Sequence, residues 1–307
     1  MKEKYIRIKE YVNESKIKFD EPMAKHTTLK VGGTADVMVM PETVEDIQNT
    51  IKFAKESNIP VLVIGNGSKL LVLDEGIRGI VIKIGSRFAN VTVEGENITA
   101  EAGLSLPRLA IIAKDNSLTG LEFAAGIPGF VGGGVFMNAG AYGSDMATVV
   151  SEVTYLDENL EIKTKTKDEL EFEYRKSFFK NYKDKGYVIL QAKFKLEKGD
   201  KEQIEAKMKE NNDARKLKQP LEYPNAGSTF KRPEGYFVGK LIDDLDLKGY
   251  RIGGAEISTK HSGFIVNLGD AKAKDILRLI NHIKEKVYDA NGVKLEEEII
   301  IIGEGEK

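Results

Sequence analysis

The sequence predicts an α+β protein of two domains. Its 307 residues exceed a single small module. A strand–helix–strand unit near the start gives way to short strands separated by turn residues. Helices and strands are then mixed rather than alternating, which disfavours a doubly wound sheet.

Taken in order, residues 2–15 read as a short amphipathic helix with Tyr5, Ile8 and Val12 on one face. After an irregular stretch (26–36), a strand is expected at 37–40. Thr43 followed by Asp46 reads as a capping box, with Val44, Ile47, Ile51 and Ala54 at helical spacing and Asn58 and Pro60 as the stop. The strand 61–65 completes a βαβ unit and ends in a glycine turn. Segments 79–84, 90–95 and 97–103 read as antiparallel strands, 107–116 as a helix, and 152–156, 160–165 and 187–196 as further strands. A charged helix over 200–217 reads as a linker into the second domain. That domain should hold a loop at 224–233, a helix near 236–244, turns and strands over 249–267, a helix at 271–290 and a terminal strand at 294–303.

Composition narrows the chemistry. The chain has no cysteine, no tryptophan and three histidines, His26, His261 and His282. Disulfides, iron–sulfur clusters and thiol nucleophiles are excluded, and a histidine-rich metal site is not expected. A net charge of −2 gives no basic bias toward nucleic acid or an anionic membrane. The longest apolar runs, 61–64 and Ile299–Ile302, are of strand length. With no apolar leader in the first twenty residues, the reading is a soluble cytoplasmic protein without membrane or nucleic-acid partners.

Five segments could carry chemistry. Gly65-Asn66-Gly67-Ser68 follows a strand, and its backbone N–H groups could cradle a phosphate or simply make a tight turn. Residues 125–134 are half glycine, with Asn138-Ala139-Gly140-Ala141 close behind. A core helix should not tolerate that density at about 1 kcal/mol per glycine, so close approach of the backbone to a large ligand is expected. Arg175, in Tyr174-Arg175-Lys176-Ser177, is one of nine arginines against 37 lysines. It could grip a planar anion through two donors, or form a surface ion pair. Ser228, beside Gly227, could donate a proton or cap a helix. Glu296-Glu297-Glu298 leads into an apolar strand, and alternation puts Glu296 and Glu298 on one face and Glu297 on the other. These carboxylates are either solvated or include a buried acid. His261 either touches a ligand or is an ordinary loop histidine, and His282 reads as solvated.

The segment His26 to Gly33, then GNGSKLLV, GIPGFVGGGVFMNAGAYG, EYRKSFF, PNAGSTFKRP, GYRIGGAEISTKHSGFIVN and KLEEEIIIIGE occur in that order. Together they resemble the UDP-N-acetylenolpyruvoylglucosamine reductases over nearly the whole chain. The shorter, type II-like variant fits, because no insertion precedes PNAGSTF.

The resemblance implies a two-lobed FAD-binding domain of the vanillyl-alcohol-oxidase type, with a smaller C-terminal α+β substrate domain. The implied boundaries are 1–198 for FAD (lobes about 1–78 and 79–198) and 199–298 for substrate, with 299–307 returning to the FAD domain. It implies FAD and NADPH as cofactors, a UDP-sugar substrate and a place in peptidoglycan precursor synthesis. Arg175 would stabilise developing negative charge, Ser228 would protonate carbon, and Glu298 would assist at the carboxylate end, with Glu296 a secondary candidate. Cofactor contacts fall to Gly65, Asn66, Gly67, Ser68, Lys69, Gly126, Ile127, Pro128, Gly132, Gly133, Asn138, Gly140 and Ala141. Substrate contacts fall to Tyr174, Asn225, Lys231, Lys240 and His261. Three positions depart from the family pattern: Lys69 stands for the usual asparagine, Phe130 for a serine or threonine, and Glu297 for a proline. The alternatives are a same-fold alcohol or sugar oxidase and a non-catalytic nucleotide-sugar binding protein. Neither accounts for Arg175, Ser228 and Glu298 together.

Overall fold

The computed structural model describes residues 3–305. Residue 2 of the expected first helix and residues 306–307 of the expected final segment lie outside them. Packing divides the chain into two compact units. The first holds the described residues up to Ile17, with Val39–Asn66 and Val81–Arg215; the second holds Lys18–Met38, Gly67–Ile80 and the described residues from Lys216 onward. This partition differs from the boundaries expected at 198 and 298, because pieces of the N-terminal third pack with the C-terminal third.

The first unit is built on a five-stranded antiparallel sheet. Its spatial order is Ile162–Thr166, Val150–Leu156, Val188–Lys195, Asn97–Glu101 and Val91–Glu94. Alternation along Val188–Lys195 buries Val188, Leu190, Ala192 and Phe194. The expected capping box is present: Thr43 Oγ1 accepts the Asp46 N–H at 3.1 Å, and Asp46 accepts the Thr43 N–H at 3.0 Å. It opens the helix Val44–Glu56, which ends before Asn58 in the left-handed region at φ 51°. Residues 3–15 form less helix than expected: one turn, Glu3–Ile6, and then two 3-10 turns. Tyr5, Ile8 and Val12 are nevertheless buried. Burial of the stripe survives the loss of regular helix, since the segment is too short to propagate one.

The glycine-rich segment corrects an expectation. Val131–Phe136 is a helix containing three consecutive glycines. A Cβ on Gly132 would stand 2.9 Å from the Ala102 methyl, and one on Gly134 would stand 3.2 Å from Leu106 and Met146 side chains. The conformational cost of these glycines is offset by close packing: a Cβ on Gly132 would clash, and one on Gly134 would make its neighbours give way. Lys201–Lys218 also differs from a bare linker, as Ile204, Met208 and Asn211 are buried.

The second unit draws one core from three pieces of chain. Leu29 and Val31, Leu71 and Leu73, and Phe230, Leu241, Ile257, Ile276 and Ile283 belong to a single buried cluster. Its antiparallel sheet runs Asn225–Ser228, Phe264–Asn267, Ala255–Ile257 and Arg251–Ile252. The helix Ala273–Asn291 buries Ile276, Leu279, Ile280, Ile283 and Val287, the stripe expected from sequence. Asp74 closes this helix from a distant piece of chain, accepting the N–H groups of Ala273 (2.9 Å) and Lys274 (3.1 Å). The terminal strand is shorter than expected. Only Ile300–Ile302 is strand, paired in parallel with Leu70–Val72, so the three glutamates precede it.

Candidate active site

In the first unit, Arg175 lies in a tight reversal where Glu173 and Lys176 exchange backbone hydrogen bonds. Its φ of 58° is in the left-handed region, a strained setting for a long side chain. Several contacts hold it there. Lys180 Nζ donates to the Arg175 carbonyl at 2.9 Å, and the Arg175 guanidinium reaches the Gly140 carbonyl at 3.4 Å and lies over the exposed Tyr174 ring. Asn138 secures the turn from below. Its Nδ2 donates to the Glu173 carbonyl (3.0 Å) and to Asp145 (3.1 Å), while its Oδ1 accepts the Ala147 N–H (2.9 Å). Asn138 is 2% exposed, so its side chain serves the scaffold of Arg175 rather than reaching outward to a cofactor. Ser177, fully buried, ties the same turn to the glycine-rich helix by donating to the Phe136 carbonyl at 2.8 Å.

The glycine segments offer backbone donors. From Gly65 to Ser68, four successive N–H groups have no acceptor among the described residues. Asn66 points its side chain elsewhere, donating to the Pro128 carbonyl at 2.8 Å. Gly67 has φ 66°, and a Cβ there would stand 2.1 Å from the His26 carbonyl, so this turn admits only glycine. At the glycine-rich helix, the Val131 and Gly132 N–H groups are taken by Leu104 and Ala102. The Gly133 N–H has no acceptor among the described residues, and a Cβ on Gly133 would meet nothing within 4 Å. Gly140 and Ala141 form a two-residue strand paired with Ser144–Asp145. Unpaired donors on short, open glycine turns fit the diphosphate of a dinucleotide flavin. Phe130, where a hydroxyl was expected, sets its ring 3.6 Å from where a Cβ on Gly65 would stand and 3.5 Å from where one on Gly85 would stand.

In the second unit, Ser228 ends a strand opposite Phe264, and its half-buried hydroxyl has no partner among the described residues. Glu298 is 4% exposed and is held by its N–H bond to the Thr229 carbonyl (2.8 Å). Between them stands Lys69, whose Nζ lies 2.6 Å from Glu298 Oε1 and donates to the Ser228 carbonyl at 3.0 Å. Lys69 was expected at the cofactor phosphates; its ammonium instead points to the acid. The three glutamates do not alternate as expected. Glu296 is exposed and pairs with Lys231 (2.8 Å), and Glu297 pairs with Lys284 (2.8 Å). Glu298 alone of the three is buried, because these residues lie outside the regular strand.

Of the expected substrate residues, Asn225 uses its amide internally, donating to Pro220 and Tyr223 carbonyls and accepting the Gly227 N–H. Lys240 and His261 line a surface depression of about 380 Å³ together with Asp243, Lys248, Lys260 and Ser262. The His261 Nδ1 accepts the Gly263 N–H at 3.1 Å, which leaves Nε2 to carry the proton. Burial lowers the His261 pKa, keeping the ring neutral. His282 stacks on Tyr250 at 4.5 Å and so is not simply solvated.

One residue escaped the sequence reading. Arg215 donates to the Gly126 carbonyl, and burial lowers its pKa. One turn earlier, Asn211 donates to the Glu122 carbonyl (3.3 Å) and accepts the Tyr142 hydroxyl at its own carbonyl (2.6 Å). The signal was available: 204, 208, 211 and 215 form one helical stripe in an otherwise charged helix.

Comparisons with known proteins identify the family. Residues 35–164 match an FAD binding domain, and residues 219–302 match the C-terminal domain of UDP-N-acetylenolpyruvoylglucosamine reductase. The chain is 50% identical over 298 residues to the UDP-N-acetylenolpyruvoylglucosamine reductase of Caldanaerobacter subterraneus subsp. tengcongensis, covering 97% of each chain. It is 48% identical to that of Alkaliphilus oremlandii, covering 98% of each. The crystal structure of the Thermus caldophilus reductase superposes with a TM-score of 0.79 at 37% identity, covering 93% of this chain and 97% of that one. Likeness of this extent, over both domains and in order, establishes that the chain belongs to the UDP-N-acetylenolpyruvoylglucosamine reductase family.

Proposed function

We infer that this protein reduces the enolpyruvyl ether of UDP-N-acetylglucosamine enolpyruvate to UDP-N-acetylmuramate, a step of peptidoglycan precursor synthesis. It is an FAD-containing oxidoreductase that draws on NADPH. FAD held by the glycine segments would supply the hydride relay between NADPH and the enolpyruvyl group. The observation that carries this reading is identity to curated reductases of about half of all residues along the whole chain.

The chain's own residues then have distinct tasks. The N–H groups of Gly65 to Ser68 and of Gly133 hold the flavin diphosphate, with Gly126, Ile127, Pro128, Gly132, Gly140 and Ala141 forming the surrounding backbone. Hydride addition builds enolate-like charge beside the substrate carboxylate. The Arg175 guanidinium, preset by its turn, stabilises that charge without reorganisation. The Ser228 hydroxyl donates a proton to the neighbouring carbon. Tyr174, Lys231, Lys240 and His261 contact the UDP-sugar. Gly126, Gly133, Gly140 and Arg175 belong to the first unit, and Ser228, Lys231, Lys240 and His261 to the second. The nucleotide substrates of this reaction place it in the cytoplasm, and no helix among the described residues is long and apolar enough to cross a membrane.

An anaerobic flavin titration tests the reading. Purified protein is expected to be yellow, to bleach with NADPH, and to regain its colour with the enolpyruvyl UDP-sugar. Ser228→Ala should still bleach but recover its colour at least about a hundredfold more slowly. A protein that binds no FAD would overturn the assignment, and rapid recovery in Ser228→Ala would overturn the proton donor.

A further inference from the structure

Glu298 presents a problem of charge. A carboxylate 4% exposed beside a site for a carboxylated substrate repels both the substrate and the enolate-like charge formed from it. Lys69 answers this locally, with Nζ 2.6 Å from Glu298 Oε1 and 3.0 Å from the Ser228 carbonyl. The other charged groups of this corner are otherwise engaged: Lys231 with Glu296, and Lys284 with Glu297. The Ile300 N–H donates to the Lys69 carbonyl at 2.7 Å, so the backbone of Lys69 and the chain just past Glu298 are held in one register. A Cβ on Gly227 would stand 3.2 Å from the ammonium, so a side chain at 227 would crowd Lys69.

We propose that Lys69 is a positioning residue for the protonation step, neutralising Glu298 and anchoring the Ser228 strand so that an anionic substrate meets a paired carboxylate. This rests on the function inferred above. It assigns Lys69 to the substrate end of the reaction, not to the cofactor phosphates. Glu298 then meets the reaction paired with the Lys69 ammonium, and the proton to carbon comes from Ser228.

A double-mutant cycle on the FAD-loaded enzyme tests this. UDP-N-acetylmuramate binding is read from the perturbation of the flavin spectrum, and the two half-reactions are read by stopped flow. Lys69→Met should weaken product binding and slow recovery of colour by the substrate, each by at least about tenfold, because it strands a buried carboxylate. Bleaching by NADPH should stay within about twofold. In the Glu298→Gln background the same Lys69→Met change should matter less than about threefold, since no charge is left to neutralise. Lys69→Arg should restore most of the loss. Equal effects of Lys69→Met in both backgrounds, or loss of FAD from the variant, overturn the proposal. Lys69→Asn, read in the same way, replaces Lys69→Met if the latter does not fold. Wild-type bleaching and recovery report separately on the function itself.

Discussion

At the scale of single residues, the sequence conveyed chemical identity better than orientation. Arg175, Ser228 and Glu298 stood out because their motifs together resemble the reductase family. Their supports were not. Asn138 read as a cofactor contact, yet its amide is spent on Glu173, Asp145 and Ala147 beneath the Arg175 turn. Lys69 read as a phosphate contact, yet it joins Glu298 to the Ser228 strand. In both cases one partner lies far along the chain, 35 residues for Asn138–Glu173 and 229 for Lys69–Glu298, and no local pattern records such a pairing. Asn138→Ala should therefore act on the arginine. It leaves the half-buried Ala147 N–H without its acceptor and takes one of two donors from the Glu173 carbonyl, costing about 1 to 2 kcal/mol of stability. It should also slow recovery of flavin colour by substrate more than bleaching by NADPH. Thermal unfolding and stopped-flow absorbance check the two parts, and equal slowing of both half-reactions would show that Asn138 does not act through Arg175.

At the scale of elements, periodic segments were legible and irregular ones were not. The Val44–Glu56 and Ala273–Asn291 helices follow from their stripes and caps. The glycine-rich helix was missed because propensity is local, whereas the need for Gly132 and Gly134 is set by Ala102, Leu106 and Met146 across the interface. The Val44–Glu56 cap also gives this element a pH signature. Burial pushes the Asp46 carboxyl up, but the Lys16 ammonium and the N–H groups of Glu42 and Thr43 outweigh it and hold the pKa below the usual carboxylate value. A carboxylate depressed in the folded state stabilises it fully above the unfolded value, about 3.9, and the contribution fades as pH falls through the folded value. Asp46→Asn should cost about 1 kcal/mol at pH 7. The gap to wild type should close as the pH falls below about 4. Denaturant titrations at both pH values measure it, and a gap that persists in acid would deny Asp46 this role.

At the scale of the whole molecule, what the sequence hid was continuity. The resemblance implied domains cut at 198 and 298, but packing gathers Lys18–Met38 and Gly67–Ile80 with the chain beyond Lys216. Turn signals and periodicity describe neighbours in sequence, and carry no sign of which distant strand will complete a core. This interleaving has a consequence for the birth of the molecule on the ribosome. The long segment Val81–Arg215 emerges with most of its partners at hand. By contrast, Leu29, Val31, Leu71 and Leu73 emerge early and wait, apolar and uncovered, until the strand and helix beyond Phe230 arrive. Long-range closure of this kind is slow. In pulse-labelled hydrogen exchange during refolding, amides of Val188–Lys195 should gain protection before those of Leu70–Val72, whose parallel partner Ile300–Ile302 is made almost last. Simultaneous protection of the two strands would contradict that order. A stalled or truncated nascent chain thus displays a ready strand edge with no mate, which makes the first eighty residues the segment most in need of a chaperone.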